Sequence, residues 1–425
     1  ALLRGGQADA AREWIERVAA GIQTNGRVPL RFARDGAPIP APAGLEEPAS
    51  QGAFAFMAME YYRFTRDAAF LHEKYPLMKR ALAYLQELRA ELEQTEWRLP
   101  EEERYLLEGL LPAAAARSGN GKPAHRFADH YWALLGWKEV RAAASLLGLD
   151  ADAGWADEQY RALKSSVRRS LRARMDLMDA AWIPAAAEDS RLDIGSVALM
   201  FWPCEETDLA EPHELQSSLD AFYDGFLQRM QPDWTGIAPS DEAALLVPLA
   251  AMGRGDYARE VLYALLEHRQ PAGWNTWANA RGSDLRQAGQ IGDMPDLRAA
   301  ASYLIGVRGI AARETGGRLD LFSGAPAEWL QYGEGFQVYG MPTAFGPLDL
   351  SGYWHKKKFT VEIGGGAQPP EGYRLWWPRQ VAPERVLANG ERLEKVDALG
   401  ADLPHDFQGT VEAFFPYSAP WPRDP

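Results

Sequence analysis

The sequence predicts a mainly α-helical chain, a toroid of paired helices followed by a small antiparallel β domain, and three observations predict it. From residue 8 to about residue 314, apolar positions recur at three- and four-residue spacing. The connections within that stretch alternate between short and long. After Thr315-Gly316-Gly317 the period changes to two, the repeat of strands with one buried face. The expected division is a helical domain over 1–315 and a β domain over 316–425.

Ten helical segments are expected, at about 8–23, 50–66, 67–94, 128–148, 152–176, 195–203, 214–230, 241–253, 256–270 and 296–314. Long links run over Thr24–Ala49, Trp97–Phe127, Leu177–Ile194, Gln231–Ser240 and Pro271–Pro295, each leading into an even-numbered helix. Those even helices are rich in small and apolar residues, as in Tyr131-Trp132-Ala133-Leu134-Leu135-Gly136. The odd ones carry more charge, as in Tyr160-Arg161-Ala162-Leu163-Lys164. An apolar helix is buried and an amphipathic one faces water on one side, so the alternation describes an inner and an outer ring. All five long loops then gather at one end.

Beyond residue 316, strands are expected at Arg318–Phe322, Phe336–Tyr339, Phe359–Ile363 and Thr410–Phe414. Val386–Leu393 reads as a hairpin around the two-residue turn Asn389-Gly390. Gly364-Gly365-Gly366 lacks a following helix and makes a poor phosphate loop.

Composition narrows the function classes. The chain of 425 residues carries 45 Lys and Arg against 59 Asp and Glu, a formal charge of −14. Nucleic-acid and anionic-membrane partners require a basic footprint, and the richest basic run is Lys356-Lys357-Lys358, which reads as a solvated strand face. No run approaches the 18 or so apolar residues of a membrane span. A single cysteine, Cys204, excludes an internal disulfide framework and a multi-cysteine metal site, and leaves both cytoplasmic and secreted locations open. The chain opens on Ala1-Leu2-Leu3-Arg4 without Met, the reading of a processed or partial chain. His125 and His130 are five apart and no HExxH, GxSxG or strand-borne GxGxxG occurs. No cofactor is indicated, and a catalytic metal is disfavoured.

The chemistry sits in the long links. Before the fourth helix stands His125-Arg126-Phe127-Ala128-Asp129-His130-Tyr131-Trp132, with Asp129 either a first-turn carboxylate favoured by the helix dipole or a group pointing into the mouth. Before the sixth comes Trp182-Ile183-Pro184, then Glu188, Asp189 and Asp193 with one nearby base, Arg191. Crowded acids repel, which raises at least one pKa, and a carboxyl kept protonated near neutrality is what a general acid requires. The acids after Cys204 read as structural. Before the tenth helix come Trp274, Asn275 and Trp277, then Gly292-Asp293-Met294-Pro295, where Asp293 is a helix cap ahead of Pro295 or a functional acid. Tryptophan beside amides and carboxylates suits a sugar ring, with apolar faces for its carbons and acceptors for its hydroxyls.

Ala49-Ser50-Gln51-Gly52-Ala53-Phe54, the Asp129–Leu134 tract, Ile183-Pro184 leading to Glu188, and Gly292-Asp293-Met294-Pro295 resemble the bacterial six-hairpin glycosidases. The resemblance covers nearly the whole chain, including Leu321–Leu330 and Met341–Leu348 of the tail. It implies an (α/α)6 toroid, distantly similar to glucoamylases and rhamnosidases, that hydrolyses a glycosidic bond in an oligo- or polysaccharide, with inversion. It implies Glu188 as acid and Asp293 as base, with Asp129 the substitute for either. Gln51, His125, Arg126, His130, Trp132, Trp182, Asp189, Trp274, Asn275 and Trp277 are the expected substrate-binding residues. Ten helices make five hairpins where the superfamily builds six, which places a further hairpin upstream of Ala1 or in the stretch from 195 to 215. After Pro295, where a histidine or aromatic residue is expected, stands Asp296-Leu297-Arg298. Two other classes compete: a polysaccharide lyase using His130, Tyr131 and Arg126, and a non-catalytic carbohydrate-binding protein.

Overall fold

The computed structural model describes residues 1–40, 46–94, 100–114, 122–178, 181–231, 238–269, 273–282, 284, 287–288, 290–331, 335–378 and 381–416. Among them the helices are α1 (Ala8–Ala20), α2 (Ala49–Thr65), α3 (Ala68–Glu93), α4 (Glu101–Leu107), α5 (Phe127–Leu146), α6 (Asp150–Asp176), α7 (Ile194–Phe201), α8 (Pro212–Arg229), α9 (Pro239–Ala251), α10 (Gly255–Glu267) and α11 (Leu297–Ala311). Ten of them lie where the periodicity places them. The eleventh, α4, falls in the link before α5; at seven residues it is too short to display a helical repeat. The extra helix therefore lies near residue 101, and not in the stretch from 195 to 215. No described helix is long and apolar enough to cross a membrane.

Residues 7–222, with Leu2, form one compact unit; Tyr223–Pro425, with Ala1 and Leu3–Gly6, form a second. Packing thus divides the chain well before the change of period near residue 316, and the last three helices belong with the strands.

In the first unit, α2 packs on its hairpin partner α3 and on α5, and α5 packs in turn on α6 and α7. The α2–α5 crossing is made by glycines. A Cβ on Gly52 would lie 1.8 Å from the Trp132 carbonyl oxygen, and one on Gly136 would lie 2.6 Å from the Gly52 Cα. The charged exterior is locked to the core by buried acids. Glu206, fully buried, takes Lys138 at 2.8 Å and Lys164 at 2.9 Å, consistent with the structural reading of the acids after Cys204. In the second unit, α9 packs on α10 and α11, with Gly306 of α11 set against the Leu246 side chain.

Two short strands, β1 (Arg31–Phe32) and β2 (Pro38–Ile39), pair in the link before α2. The remaining strands are β3 (Ala312–Thr315), β4 (Arg318–Leu321), β5 (Phe336–Thr343), β6 (Gly346–His355), β7 (Lys358–Gly364), β8 (Tyr373–Trp376), β9 (Arg385–Ala388), β10 (Glu391–Arg392), β11 (Gly400–Leu403) and β12 (Gly409–Phe414). They form a six-stranded sheet, β10-β9-β12-β7-β6-β5, and a four-stranded sheet, β11-β8-β4-β3. Pairing is antiparallel except between β4 and β8. Along β6, Leu348, Leu350 and Trp354 alternate into the core, the pattern of a strand with one wet face.

Gly316-Gly317 forms a turn. Strand β3 starts directly after α11, and the two glycines, at φ of 52° and 80°, close the β3–β4 hairpin. Ala312-Arg313-Glu314 reads equally well as a last helical turn, which is why the sequence conceals β3. The Asn389-Gly390 turn forms as expected, with both residues at positive φ, 51° and 86°.

Candidate active-site loops

In the first unit, the loop before α7 folds into a small ribbon against the chain entering α5. Pro184 pairs with Leu192, and Arg126 pairs with Ala186 through Phe127 N–H to Ala185 (3.1 Å) and Ala187 N–H to His125 (3.1 Å). The three alanines at 185–187 permit that approach, and Ala186 and Ala187 are buried by it. Trp182 donates its indole N–H to the Ser190 carbonyl at 2.8 Å, so its polar edge closes its own loop.

Glu188 sits at the tip of this ribbon. One carboxylate oxygen accepts the His125 backbone N–H at 3.0 Å, and the other meets His125 Nδ1. Burial alone would raise its pKa, but the hydrogen bond and charge of His125 outweigh that and hold it below the usual carboxylate range. Asp189 is likewise lowered, chiefly by Arg191, whose Nε reaches its two oxygens at 2.9 and 3.0 Å. Asp193 caps α7 through the Gly195 N–H at 3.1 Å. The expectation of repelling acids with a raised pKa is therefore corrected: Glu188 and Asp189 are both lowered, Glu188 by a histidine on the chain entering α5 and Asp189 by its neighbour Arg191.

The residues entering α5 are more committed than expected. Asp129 is 3% exposed and bonded to Arg126 Nε at 2.8 Å, so it does not point into open space. His130 is fully buried; its Nδ1 lies 2.7 Å from the Arg126 carbonyl, and its Nε2 accepts the Leu111 N–H at 3.1 Å. Those two bonds define the tautomer, and burial pushes its pKa down to about 4. Gln51 is also interior; in the orientation its neighbours require, its amide donates to the Glu47 and Pro48 carbonyls at 3.0 Å. Asp129, His130 and Gln51 thus serve the fold. Trp132 is half-buried, edge-on to Phe56 at 5.9 Å, and Phe56 meets Trp202 at 6.0 Å. Of that trio, Phe56 lies within α2 and Trp202 just past the end of α7, both outside the long links.

In the second unit, residues 279–282 and 290–293 pair as an irregular ribbon, with Asn279 N–H on the Asp293 carbonyl at 2.9 Å. The Asp293 side chain is exposed and engages no cation among the described residues. It is not the cap of α11. Asp296 holds that place, accepting the Arg298 N–H at 2.9 Å, and the Asp296-Leu297-Arg298 departure is explained by it. Trp277 is 4% exposed, packs on Tyr303 at 4.9 Å and donates to the Leu265 carbonyl at 2.7 Å, which makes it core. Trp274 is 71% exposed. Asn275 adopts a positive φ of 47° and accepts from Arg269. One acid escaped sequence reading altogether: Glu242, in the first turn of α9, is 1% exposed. Arg229 reaches one of its oxygens at 3.1 Å, the other has no hydrogen-bond partner among the described residues, and burial raises its pKa to about 6.

No family model and no curated protein matches the chain. Solved structures do. An α-L-rhamnosidase from Dictyoglumus thermophilum matches with a TM-score of 0.57 at 12% identity, over 96% of this chain and 43% of that one. The chain has the α-L-rhamnosidase fold, a helical toroid with a β domain. A GH78 family rhamnosidase of Bacillus sp. GL1 matches at 0.51 and 13% identity, over 87% of this chain and 36% of that one. An α-L-rhamnosidase from Aspergillus terreus gives 0.50 and 13%, over 97% and 44%. The chain spans less than half the length of each rhamnosidase.

Proposed function

We propose that the chain is a glycoside hydrolase that cleaves an oligo- or polysaccharide by proton transfer at Glu188 and Asp293, with inversion at the anomeric carbon. The helical part, residues 1–315, carries the chemistry. The observation that supports this reading is the joining of a rhamnosidase fold to two loop acids in contrasting states. Glu188 is bonded to a proton-carrying imidazole, and Asp293 is an open carboxylate free to take a proton from water. Trp274, Trp132 and Asp189 remain candidates for sugar contact. The lyase reading loses its support: both His130 nitrogens are bonded to backbone groups, Tyr131 is fully buried, and Arg126 is paired with Asp129.

The test is a panel of aryl glycosides, beginning with 4-nitrophenyl α-L-rhamnopyranoside, with the first-formed sugar anomer followed by proton NMR. Turnover with inverted product is expected, and Asp293→Asn should lower kcat/KM about 10²–10⁴-fold. A retained anomer would refute inversion. Calorimetric sugar binding without turnover anywhere on the panel would replace hydrolysis by carbohydrate binding.

A further inference from the structure

Both oxygens of the Glu188 carboxylate are occupied by a single residue, His125, through its backbone N–H and its Nδ1. The Arg126–Ala186 pairing holds the two in register, because it fixes residue 125 opposite residue 187. His125 Nε2, in contrast, has no partner among the described residues, and the ring retains 16% side-chain exposure. A carboxylate that accepts from Nδ1–H turns Nε2 outward, as a lone pair when the ring is neutral and as N–H when it is charged.

The neighbouring charged groups are engaged elsewhere. Arg126 faces Asp129, Arg191 faces Asp189, and His130 is sealed between the Arg126 carbonyl and the Leu111 N–H. Arg89 acts on the adjoining His130 from α3, and bonds the Gly109 carbonyl at 2.7 Å. None of these described interactions occupies His125 Nε2.

We propose that His125 Nε2 is the atom that exchanges the proton at this end of the site, and that Glu188 is its positioning residue. The proposal rests on the hydrolase reading above and replaces Glu188 by His125 as the proton donor within it. As the bond from the anomeric carbon to the glycosidic oxygen breaks, its electron pair goes to that oxygen, which takes the proton from imidazolium Nε2–H. Water adds to the anomeric carbon and gives its proton to the base. His125 is left neutral and the base protonated, and exchange with solvent restores both.

Two measurements on the full chain test this. The first is the imidazole tautomer of His125, from long-range proton–nitrogen correlation with the resonance assigned by its loss in His125→Gln. The neutral ring should be Nδ1–H in the wild type and shift toward Nε2–H in Glu188→Gln. An Nε2–H wild-type ring, or no change in the variant, overturns the proposal. The second is the dependence on leaving group across aryl glycosides. His125→Gln should lose about 10²-fold or more on poor leaving groups and little on activated ones. Glu188→Gln should lose about tenfold, with Glu188→Asp recovering part of it. A Glu188→Gln loss equal to or greater than that of His125→Gln would make Glu188 the donor and refute the proposal. A wild-type chain inert on the whole panel would refute the hydrolase reading, whereas an active wild type with an unaffected His125→Gln would refute the role of His125 alone.

Discussion

In the loop before α7, three acids lie within six residues and each has found a partner: His125 for Glu188, Arg191 for Asp189, a helix N–H for Asp193. Before α11, Asp293 stands exposed and unengaged among the described residues, and a short way back in the chain Glu242 is buried with one oxygen unsatisfied. The crowded acids are the quiet ones. Repulsion along a sequence is a poor guide to repulsion in space, because folding brings each acid a partner: a histidine from 63 residues away, an arginine two residues on, and a helix N–H. Glu242, carried inward on a helix, has Arg229 on one oxygen only, and burial raises its pKa.

The contrast can be sharpened by substitution. Trp277 and Trp274 look alike in the sequence, but only the first is core, so Trp277→Ala should cost about 3–5 kcal/mol in urea unfolding. His130 comes next. With a folded pKa of about 4 against an ordinary 6.5, its contribution is complete above pH 6.5 and is lost as pH falls toward 4. That loss amounts to about 3 kcal/mol, and unfolding measured at pH 7 and pH 4 should show it shrink by that amount in His130→Asn. Glu242 runs the other way. Its pKa rises from 4.5 to about 6, so its contribution is complete below pH 4.5 and fades as pH climbs through 6. The wild type should lose on the order of 2 kcal/mol between pH 4.5 and 7.5 relative to Glu242→Gln, and parallel curves for the two proteins would break the comparison. Smallest is Trp274→Ala, expected to shift stability by less than about 0.5 kcal/mol while weakening sugar binding in calorimetry.

The helical part was legible because burial of one face writes a period of 3.6 into the sequence, and ten helices followed from it. Missed were segments too short to show a period (α4, β1, β2, β8 and β11), β3 hidden behind the end of α11, and also the ten-residue β6, whose alternation is plain. The candidate loops were legible as places, since long links stand out. Their chemistry was not. Whether Asp129 faces open space or Arg126, or whether Trp277 faces sugar or Tyr303, depends on what another segment brings to meet it, and no local pattern records that. The Glu188–His125 pair joins residues 63 apart in the chain.

The crossing of α2 and α5 at Gly52 and Gly136 has a consequence for how this protein can change. Where side chains interlock, one may grow as its neighbour shrinks, and volume is conserved across the pair. Two glycines have nothing left to give up. A methyl group at position 52 meets a backbone carbonyl, which no substitution elsewhere removes, so the alternative is to move a whole helix together with everything packed on it. Exchange at these two positions therefore has no compensating partner, and the crossing is fixed in the space of sequences as firmly as it is in the fold.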